Sequence, residues 1–162
     1  MKSAKAAGIQ YAALPYRFEG RQLRVLLITS RETRRWVIPK GWPMNGLKPQ
    51  DAAAAEAAEE AGLIGTVEPT PLGSYRYLKR LKGAGSVAVQ VIVFPFLVAA
   101  QVESWKEQDQ RSQRWFGYRT AAARVAEPSL QRLIREFGAE RSISFTARSL
   151  RHYRNWRLRT AN

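Results

Sequence analysis

One stretch, from Pro39 to Leu63, constrains the fold of this 162-residue chain more than any other. It reads PKGWPMNGLKPQDAAAAEAAEEAGL, a glycine-containing loop followed by a segment rich in alanine. Pro49 suits the first turn of a helix and Gly62 suits the left-handed residue that ends one, so we predict a helix over 49–61. The small alanine side chains let such a helix lie close against a sheet.

The predicted helix carries three glutamates, Glu56, Glu59 and Glu60, whose spacing places their carboxylates on one helical face. Like charges on one face repel, so folding alone does not favour this arrangement. A hard divalent cation favours it, because Mg²⁺ takes oxygen ligands and is held by carboxylates against substrate phosphates. The alternative interpretation is an acidic face in contact with solvent. The residues therefore predict either a magnesium site or a solvated charge cluster.

Runs of β-branched and aromatic residues predict two β-hairpins. The first joins 8–18 to 22–30, and the second joins 72–81 to 86–99. The last of these arms reads as a buried central strand, in which Pro95 must lie at a bulge or an edge. The other predicted elements are short strands at 36–38 and 114–118 and helices at 119–125 and 128–137.

The formal net charge of +14 indicates an anionic partner, such as a phosphorylated metabolite, a nucleic acid or an anionic membrane surface. The chain has no cysteine and one histidine, His152, which excludes disulfide frameworks, cysteine-based zinc sites and histidine clusters. No apolar run reaches about 18 residues, so we expect no membrane partner. Because no secretory signal is apparent, we expect a cytoplasmic protein.

The segment from Ser142 onward combines arginine with apolar and aromatic residues. Arginine recurs every third position from Arg148 to Arg157, and Leu150, Tyr153 and Trp156 lie between these arginines. Two interpretations stay open. The segment forms a helix that packs its aromatic side on the rest of the chain, or it becomes ordered on an anion such as a nucleic acid, whose phosphates and bases suit arginine and aromatic side chains.

The spacing within Gly41–Leu63 resembles the Nudix box, G-x5-E-x7-R-E-U-x-E-E-x-G-U, in which U is aliphatic. The matching positions are Gly41, Glu56, Glu59, Glu60, Gly62 and Leu63, with Ala57 as a small occupant of a U position. Outside the box, the segments SRETRRWVIPKGWPM, SWKEQ, RWF and EPSL make the chain similar to the diphosphoinositol polyphosphate phosphohydrolase branch of the family. This resemblance covers about residues 8–138.

Two positions depart from the box, since Leu47 replaces a glutamate of the family and Ala55 replaces an arginine. In the family that arginine orients the glutamates through ion pairs. Its loss predicts a less constrained Glu56, stronger repulsion among the carboxylates and weakened turnover, unless another lysine or arginine takes over the role. An Ala55→Arg variant separates the two outcomes, because turnover should rise only if the role is unfilled.

The resemblance implies an α+β protein, an α/β/α sandwich with the box loop and helix against a mixed sheet flanked by helices. It implies a hydrolase domain at 1–140, followed by a basic tail at 141–162 that is helical in one interpretation. Glu56, Glu59 and Glu60 are the implied catalytic residues, with Glu56 as the candidate base. The implied metal is Mg²⁺, or Mn²⁺ in its place, and its ligands are Glu56, Glu59, Glu60 and the main-chain carbonyl of Lys40. Glu103 and Glu107 are expected to face solvent, the alternative being that they add a further ligand or base.

The implied activity is metal-dependent hydrolysis of a diphosphate linkage in a polyphosphorylated compound, either an inositol pyrophosphate or a dinucleoside polyphosphate. The predicted anion-binding residues are Arg17, Arg31, Lys40, Lys79 and Arg80. One alternative is a pyrophosphatase of nucleoside diphosphate derivatives such as nucleotide sugars, with Trp36, Trp42 or Tyr77 stacked on the base. Another is a catalytically weakened module that binds RNA or a phosphorylated ligand through its basic surface and tail.

Overall fold

One mixed sheet runs through the computed structural model, which describes residues 8–83 and 85–159, with the side chains of 146, 149 and 152–159 left out. The strands are β1 (Gly8–Glu19), β2 (Gln22–Thr29), β3 (Trp36–Val37), β4 (Lys40–Gly41), β5 (Leu63–Val67), β6 (Gly73–Arg80), β7 (Ser86–Gln101) and β8 (Gln113–Gly117). The helices are α1 (Pro49–Ala61), α2 (Tyr118–Arg124) and α3 (Pro128–Arg159).

The sheet is organised around β1 and β7, which pair in parallel from Gly8–Val89 to Tyr16–Leu97. All the other pairings are antiparallel. The main order is β3-β2-β1-β7-β5, while β4 also pairs with β1, β6 with β7 and β8 with β2. Both predicted hairpins, β1–β2 and β6–β7, are confirmed.

An apolar cluster covers each face of this sheet. On one face, Ala53, Ala57 and Ala61 of α1 pack in a cluster with Phe94 and Phe96 of β7. On the other, α2 and α3 contribute side chains such as Leu130, Ile134 and Phe137, which meet Leu14 of β1 and Val91 of β7. Burying each of the larger side chains stabilises the fold by about 1.5–3 kcal/mol. The predicted α/β/α sandwich is confirmed.

The prediction of a bulge or an edge at Pro95 is met only locally, because β7 has strand partners on both sides elsewhere but not at this residue. Pro95 lies inside β7, in register with Leu14 of β1. On the other side of β7, pairing with β6 ends at Val93 and pairing with β5 begins at Phe96. The missing N–H of proline is tolerated because no strand residue is paired with it on that side.

The helix that begins at Pro128 does not end near residue 137, as the sequence predicted, but runs to Arg159. It therefore crosses the predicted boundary between 140 and 141. Arg141 donates to both carboxylate oxygens of Glu68 at 2.7 Å, and the ring of Phe145 stacks on that of Phe18 at 4.4 Å between centroids. The proposed roles of Tyr153 and Trp156 lie outside the described side chains. The two-part division of the chain stays a prediction.

Among the described residues, no helix is both long enough and apolar enough to cross a bilayer.

Candidate active site

The loop before α1 is tied to the centre of the sheet by β4. Lys40 and Gly41 pair with Ala12 and Tyr11 of β1, and the Ala13 N–H donates to the Pro39 carbonyl at 3.0 Å. Gly41 lies so close to α1 that a Cβ added there would overlap the Glu56 carboxylate. The loop backbone and the first of the three glutamates are therefore in direct contact.

Helix α1 has the predicted bounds, and both of its ends follow the sequence signals. Pro49 occupies the first helical turn, and Gly62 ends the helix in the left-handed region at φ 66°. The N–H of Gly62 donates to the carbonyl of Ala58 at 2.9 Å. This fixed register presents Glu56 and Glu60 one turn apart, on the face that meets β4.

Glu60 is buried, with a side chain that is 9% exposed. Its Oε1 accepts from Arg111 Nη2 at 3.1 Å, and its Oε2 accepts from the backbone N–H of Lys40 at 3.3 Å. Burial raises the pKa of Glu60 to about 7, although Arg111 and Lys40 act in the opposite direction. Burial also lowers the pKa of the Lys40 ammonium group, and Glu60 opposes that shift.

The other two glutamates are more accessible. Burial is the main cause of a raised pKa at Glu56, and the charges of Glu59 and Glu107 raise it further. The side chain of Glu59 is 43% exposed and lies 3.6 Å from Lys106 Nζ. The three carboxylates thus lie along one side of α1, in three different electrostatic environments.

The connection between β7 and β8, residues 102–112, closes over the C-terminal end of α1. The Val102 N–H donates to the Gly62 carbonyl at 2.9 Å, and the Glu107 N–H donates to the Glu59 carbonyl at 3.1 Å. The indole of Trp105 lies against Gly62, where an added Cβ would overlap the ring. This β7–β8 loop satisfies carbonyls that a helix end leaves without intrahelical partners.

Two of the predicted anion-binding residues lie beside aromatic rings near β4. Lys40 Nζ is 5.0 Å from the centroid of the Tyr77 ring, and Lys79 Nζ is 6.0 Å from that of Trp42. Trp42 is 44% exposed, and Arg80, at the end of β6, is also exposed. Two of the predicted cations, Lys40 and Lys79, and one exposed ring, that of Trp42, therefore lie close to the box loop.

The other two predicted anion-binding residues have acidic partners. Arg31 Nη1 lies 3.2 Å from Glu107 Oε1, which places it beside the β7–β8 loop. Arg17 pairs with Glu19, and its guanidinium lies 4.0 Å from the centroid of the Trp115 ring. Arg17 is further along β1 than Ala12, the residue that pairs with Lys40. A role in substrate binding stays a prediction for all five residues.

The NUDIX domain family matches residues 9–137, which is most of the chain. The chain belongs to the Nudix domain family. Nudix hydrolase 17, mitochondrial, of Arabidopsis thaliana is 34% identical over 110 residues, covering 63% of this chain and 58% of that protein. Nudix hydrolase 12, mitochondrial, of the same plant is 28% identical over 119 residues, covering 72% of this chain and 59% of that protein. The chain thus matches less than two thirds of the length of these relatives.

Two solved Nudix structures show the same fold. A binary complex of C. elegans Ap4A hydrolase has a TM-score of 0.61 and 20% identity, covering 82% of this chain and 96% of that one. The NUDIX domain of Shewanella oneidensis NrtR complexed with ADP ribose has a TM-score of 0.60 and 18% identity, covering 82% and 88%. Neither these structures nor the curated relatives assign the chain to the diphosphoinositol polyphosphate branch.

The donor set of this Nudix box suits a hard divalent cation, because it consists of carboxylate and main-chain oxygens. Within the described residues, however, no three acidic, histidine or cysteine side chains converge on a common metal position. The reason is visible in the geometry, since the Glu59 carboxylate is turned outwards to Lys106. The pair of Glu59 and Lys106 is exposed and weak, so Glu59 is free to turn towards Glu56. The residues present therefore fit such a cation after a side-chain rotation.

Three residues of the β7–β8 loop were missed by the sequence reasoning: Trp105, Lys106 and Arg111. The available signal was the absence of any basic residue from α1, since a helix with three clustered glutamates needs cations from elsewhere. The expectation that Glu107 faces solvent is wrong, because its side chain is 13% exposed and lies beside Arg31 and Arg111. Glu103 is exposed, as predicted, and so is Leu47 at the first departure from the Nudix box.

Proposed function

We propose that this chain hydrolyses a phosphoanhydride bond in a diphosphate or polyphosphate compound. The observation that carries the proposal is the position of Glu56, whose carboxylate lies against the backbone of Gly41 while Glu60 is held by the Lys40 N–H. This arrangement brings two helix carboxylates against the backbone of the box loop, which supports a site between the loop and the helix. Membership of the Nudix domain family supports the same class of reaction.

The residues that would hold Mg²⁺, or Mn²⁺ in its place, are Glu56, Glu59, Glu60 and the main-chain carbonyl of Lys40. When bound, such a cation neutralises charge on the diphosphate oxygens and makes water a better nucleophile. Glu56 is the proposed general base, because burial and its acidic neighbours raise its pKa and so its affinity for the proton of the attacking water. Lys40 and Lys79 would bind the phosphates that flank the cleaved bond.

The proposed substrate is polyphosphorylated, as an inositol pyrophosphate or a dinucleoside polyphosphate is. Support comes from the net charge of +14 and from Lys40 and Lys79, which lie beside aromatic rings close to the box loop. The second candidate is a nucleoside diphosphate derivative such as a nucleotide sugar. It is favoured by Trp42, an exposed ring beside Lys79 on which a base can stack. The RNA-binding alternative depends on the basic surface and on the tail, in which Arg148 and Arg151 are exposed and the side chains from residue 152 onward lie outside the described residues.

The reaction class is tested by phosphate and nucleotide release with Mg²⁺ or Mn²⁺ over a panel of inositol pyrophosphates, dinucleoside polyphosphates and nucleotide sugars. We expect Glu60→Gln to lower kcat by about 100-fold or more, as loss of one preorganised charged group does. Glu136→Gln is the matched control, since Glu136 is an exposed glutamate of α3 paired with Arg132 at 3.9 Å. Turnover by Glu60→Gln equal to that of the control would contradict the proposed site.

The substrate class is tested by the salt dependence of KM. Raising the ionic strength from about 0.01 to 0.15 M shortens the screening length from about 30 to about 8 Å. A substrate that carries many phosphates should then lose affinity steeply, with KM rising about tenfold or more, whereas a nucleotide sugar should respond weakly. A KM for the best substrate that does not change with salt would argue against the polyphosphorylated class.

A further inference from the structure

Helix α1 lacks any cation of its own, although it concentrates negative charge. Its sequence from Pro49 to Ala61 contains Asp51 and three glutamates but no lysine, arginine or histidine. Ala55, half-buried beside Glu56, adds no charge. Glu107 brings a fourth glutamate to the same region from the β7–β8 loop. Without a cation from elsewhere, mutual repulsion would move these carboxylates apart.

Arg111 supplies that cation from a position 51 residues further along the chain. Its Nη2 donates to Glu60 Oε1 at 3.1 Å, its Nη1 donates to the Thr29 carbonyl at 3.0 Å, and its Nε lies 3.6 Å from Glu107 Oε2. The side chain is 10% exposed. The Thr29 N–H donates to the Ser112 carbonyl and the Ser112 N–H donates to the Thr29 hydroxyl, both at 2.9 Å, which fixes the adjoining chain on the end of β2. The guanidinium therefore has a defined position and orientation.

We propose that Arg111 is the positioning arginine of this site and takes the role that Ala55 leaves unfilled on α1. Glu60 is held at both oxygens, by Arg111 on one and by the Lys40 N–H on the other, so its carboxylate plane is fixed relative to the box loop. The inference rests on the proposed function, because it assigns Arg111 a part in the same site. Arg111 acts through Glu60, to which it donates.

A lysine cannot reproduce this geometry. The planar fork of arginine donates to Glu60 and to the Thr29 carbonyl in two fixed directions, and its charge lies near Glu107, whereas an ammonium group is a single point of charge at the end of a flexible chain. We therefore expect Arg111→Lys to keep the fold and the charge but to lose part of the orientation of Glu60. Arg111→Ala should lose both the charge and the orientation.

The first test is kinetic. Arg111→Ala should lower kcat by about 10–100-fold with little change in KM, as loss of a group that orients a metal ligand does. Added guanidinium ion should restore part of the lost kcat, and Arg111→Lys should fall between Arg111→Ala and the wild type. Arg114→Ala is the matched control, an exposed arginine three positions away, and should show neither the loss nor the rescue. Full activity of Arg111→Ala, or a loss that guanidinium does not relieve, would overturn the proposal.

The second test uses Ala55→Arg, which places a second arginine on α1, at the position where the Nudix box has one. If Arg111 already fills that role, the variant should change kcat less than about twofold, because one well-placed arginine is sufficient to orient the carboxylate. A large rise in turnover would show that the role is vacant and would overturn the proposal.

A crystal structure of Arg111→Lys separates this inference from the proposed function. We expect the Glu60 carboxylate to leave the Lys40 N–H while Trp105 stays against Gly62. An unmoved Glu60 would overturn the positioning role, even if no member of the substrate panel is hydrolysed. Absence of turnover in the wild type would contradict the proposed function alone.

Discussion

At the scale of single residues, the contact between Gly41 and Glu56 places strict demands on side-chain size. Gly41 does not have a left-handed backbone, so conformation alone would permit other residues there. Its Cβ is excluded only because the Glu56 carboxylate occupies that space. Glycine at this position is therefore explained by the proposed chemistry of the site rather than by the folding of the loop.

Gly41→Ala should separate activity from stability. The added methyl would displace the end of a flexible side chain, so the free energy of unfolding should change by less than about 1 kcal/mol. The displaced Glu56 carboxylate should lower kcat by about 100-fold, the scale expected for a misplacement of about 1 Å. Gly117→Ala is the control, because no described atom lies within 4 Å of the position that an added Cβ would take there. Kinetics and urea unfolding of both variants check the prediction, and undiminished turnover by the Gly41→Ala variant would contradict it.

How much of the site the sequence predicts depends on the distance in sequence between partners. Glu56, Glu59, Glu60 and Gly41 are found from spacing, because a helix converts spacing into direction. The contact of Arg111 with Glu60 depends on the path of the β7–β8 loop, which no local pattern specifies. The same reason explains the error at Glu107, whose polar surroundings in the sequence suggested exposure.

At the scale of elements, α1 and the β7–β8 loop behave as one unit. The loop meets the helix end through the Val102 and Glu107 N–H groups, through Trp105 and through the cations Lys106 and Arg111. Gly62 is at the centre of this junction, since it has a left-handed backbone and also provides the surface on which Trp105 lies. A change at Gly62 should therefore affect two structural elements.

Gly62→Ala and Gly20→Ala form a matched pair that measures this junction. Both glycines have φ near +60°, so either substitution should cost about 1–2 kcal/mol of unfolding free energy from the backbone alone. Only the methyl at position 62 would overlap Trp105, which should add about 1–3 kcal/mol. Urea unfolding of both variants gives the difference. Equal destabilisation would show that Trp105 does not restrain the helix end.

The ends of helices and strands were predicted well where a local sequence signal sets them. They were predicted poorly where a tertiary contact sets them. Pro49 and Gly62 set the ends of α1, so both ends were correct. The short strand β5 carries no clear alternation and forms because β7 pairs with it. Helix α3 runs beyond its predicted end because no glycine or proline stops it after residue 138, and Arg141 and Phe145 contact the sheet.

At the scale of the whole molecule, α3 links the tail to the domain. The pair of Arg141 with Glu68 and the stack of Phe145 on Phe18 lie beyond the predicted boundary at 140. A chain that ends after residue 139 should therefore lose about 1–2 kcal/mol of unfolding free energy, from the ring stack and a partly exposed ion pair. A chain that ends after residue 150 keeps both contacts.

Thermal unfolding of these two truncated chains checks the expectation. The shorter chain should have a Tm about 2–8 °C below that of the longer one, since 1 kcal/mol shifts Tm by about 2–4 °C in a protein of this size. Equal Tm values would support an independent tail that begins at 141.

The predicted cytoplasmic location stays a prediction.

The parallel pairing of β1 with β7 has a consequence for how the chain folds. Gly8 and Val89 are partners although about 80 residues separate them. Their pairing therefore closes a large loop, and the chain loses conformational entropy before the contacts of the sheet can offset that loss. Chains dominated by such distant pairings fold in about milliseconds to seconds. Because Lys40 and Gly41 attach to β1 while the β7–β8 loop follows β7, the box and its arginine meet only after this closure. During synthesis, a chain still lacking β7 therefore has the glutamates of α1 but not the β7–β8 loop, which places Arg111 beside Glu60.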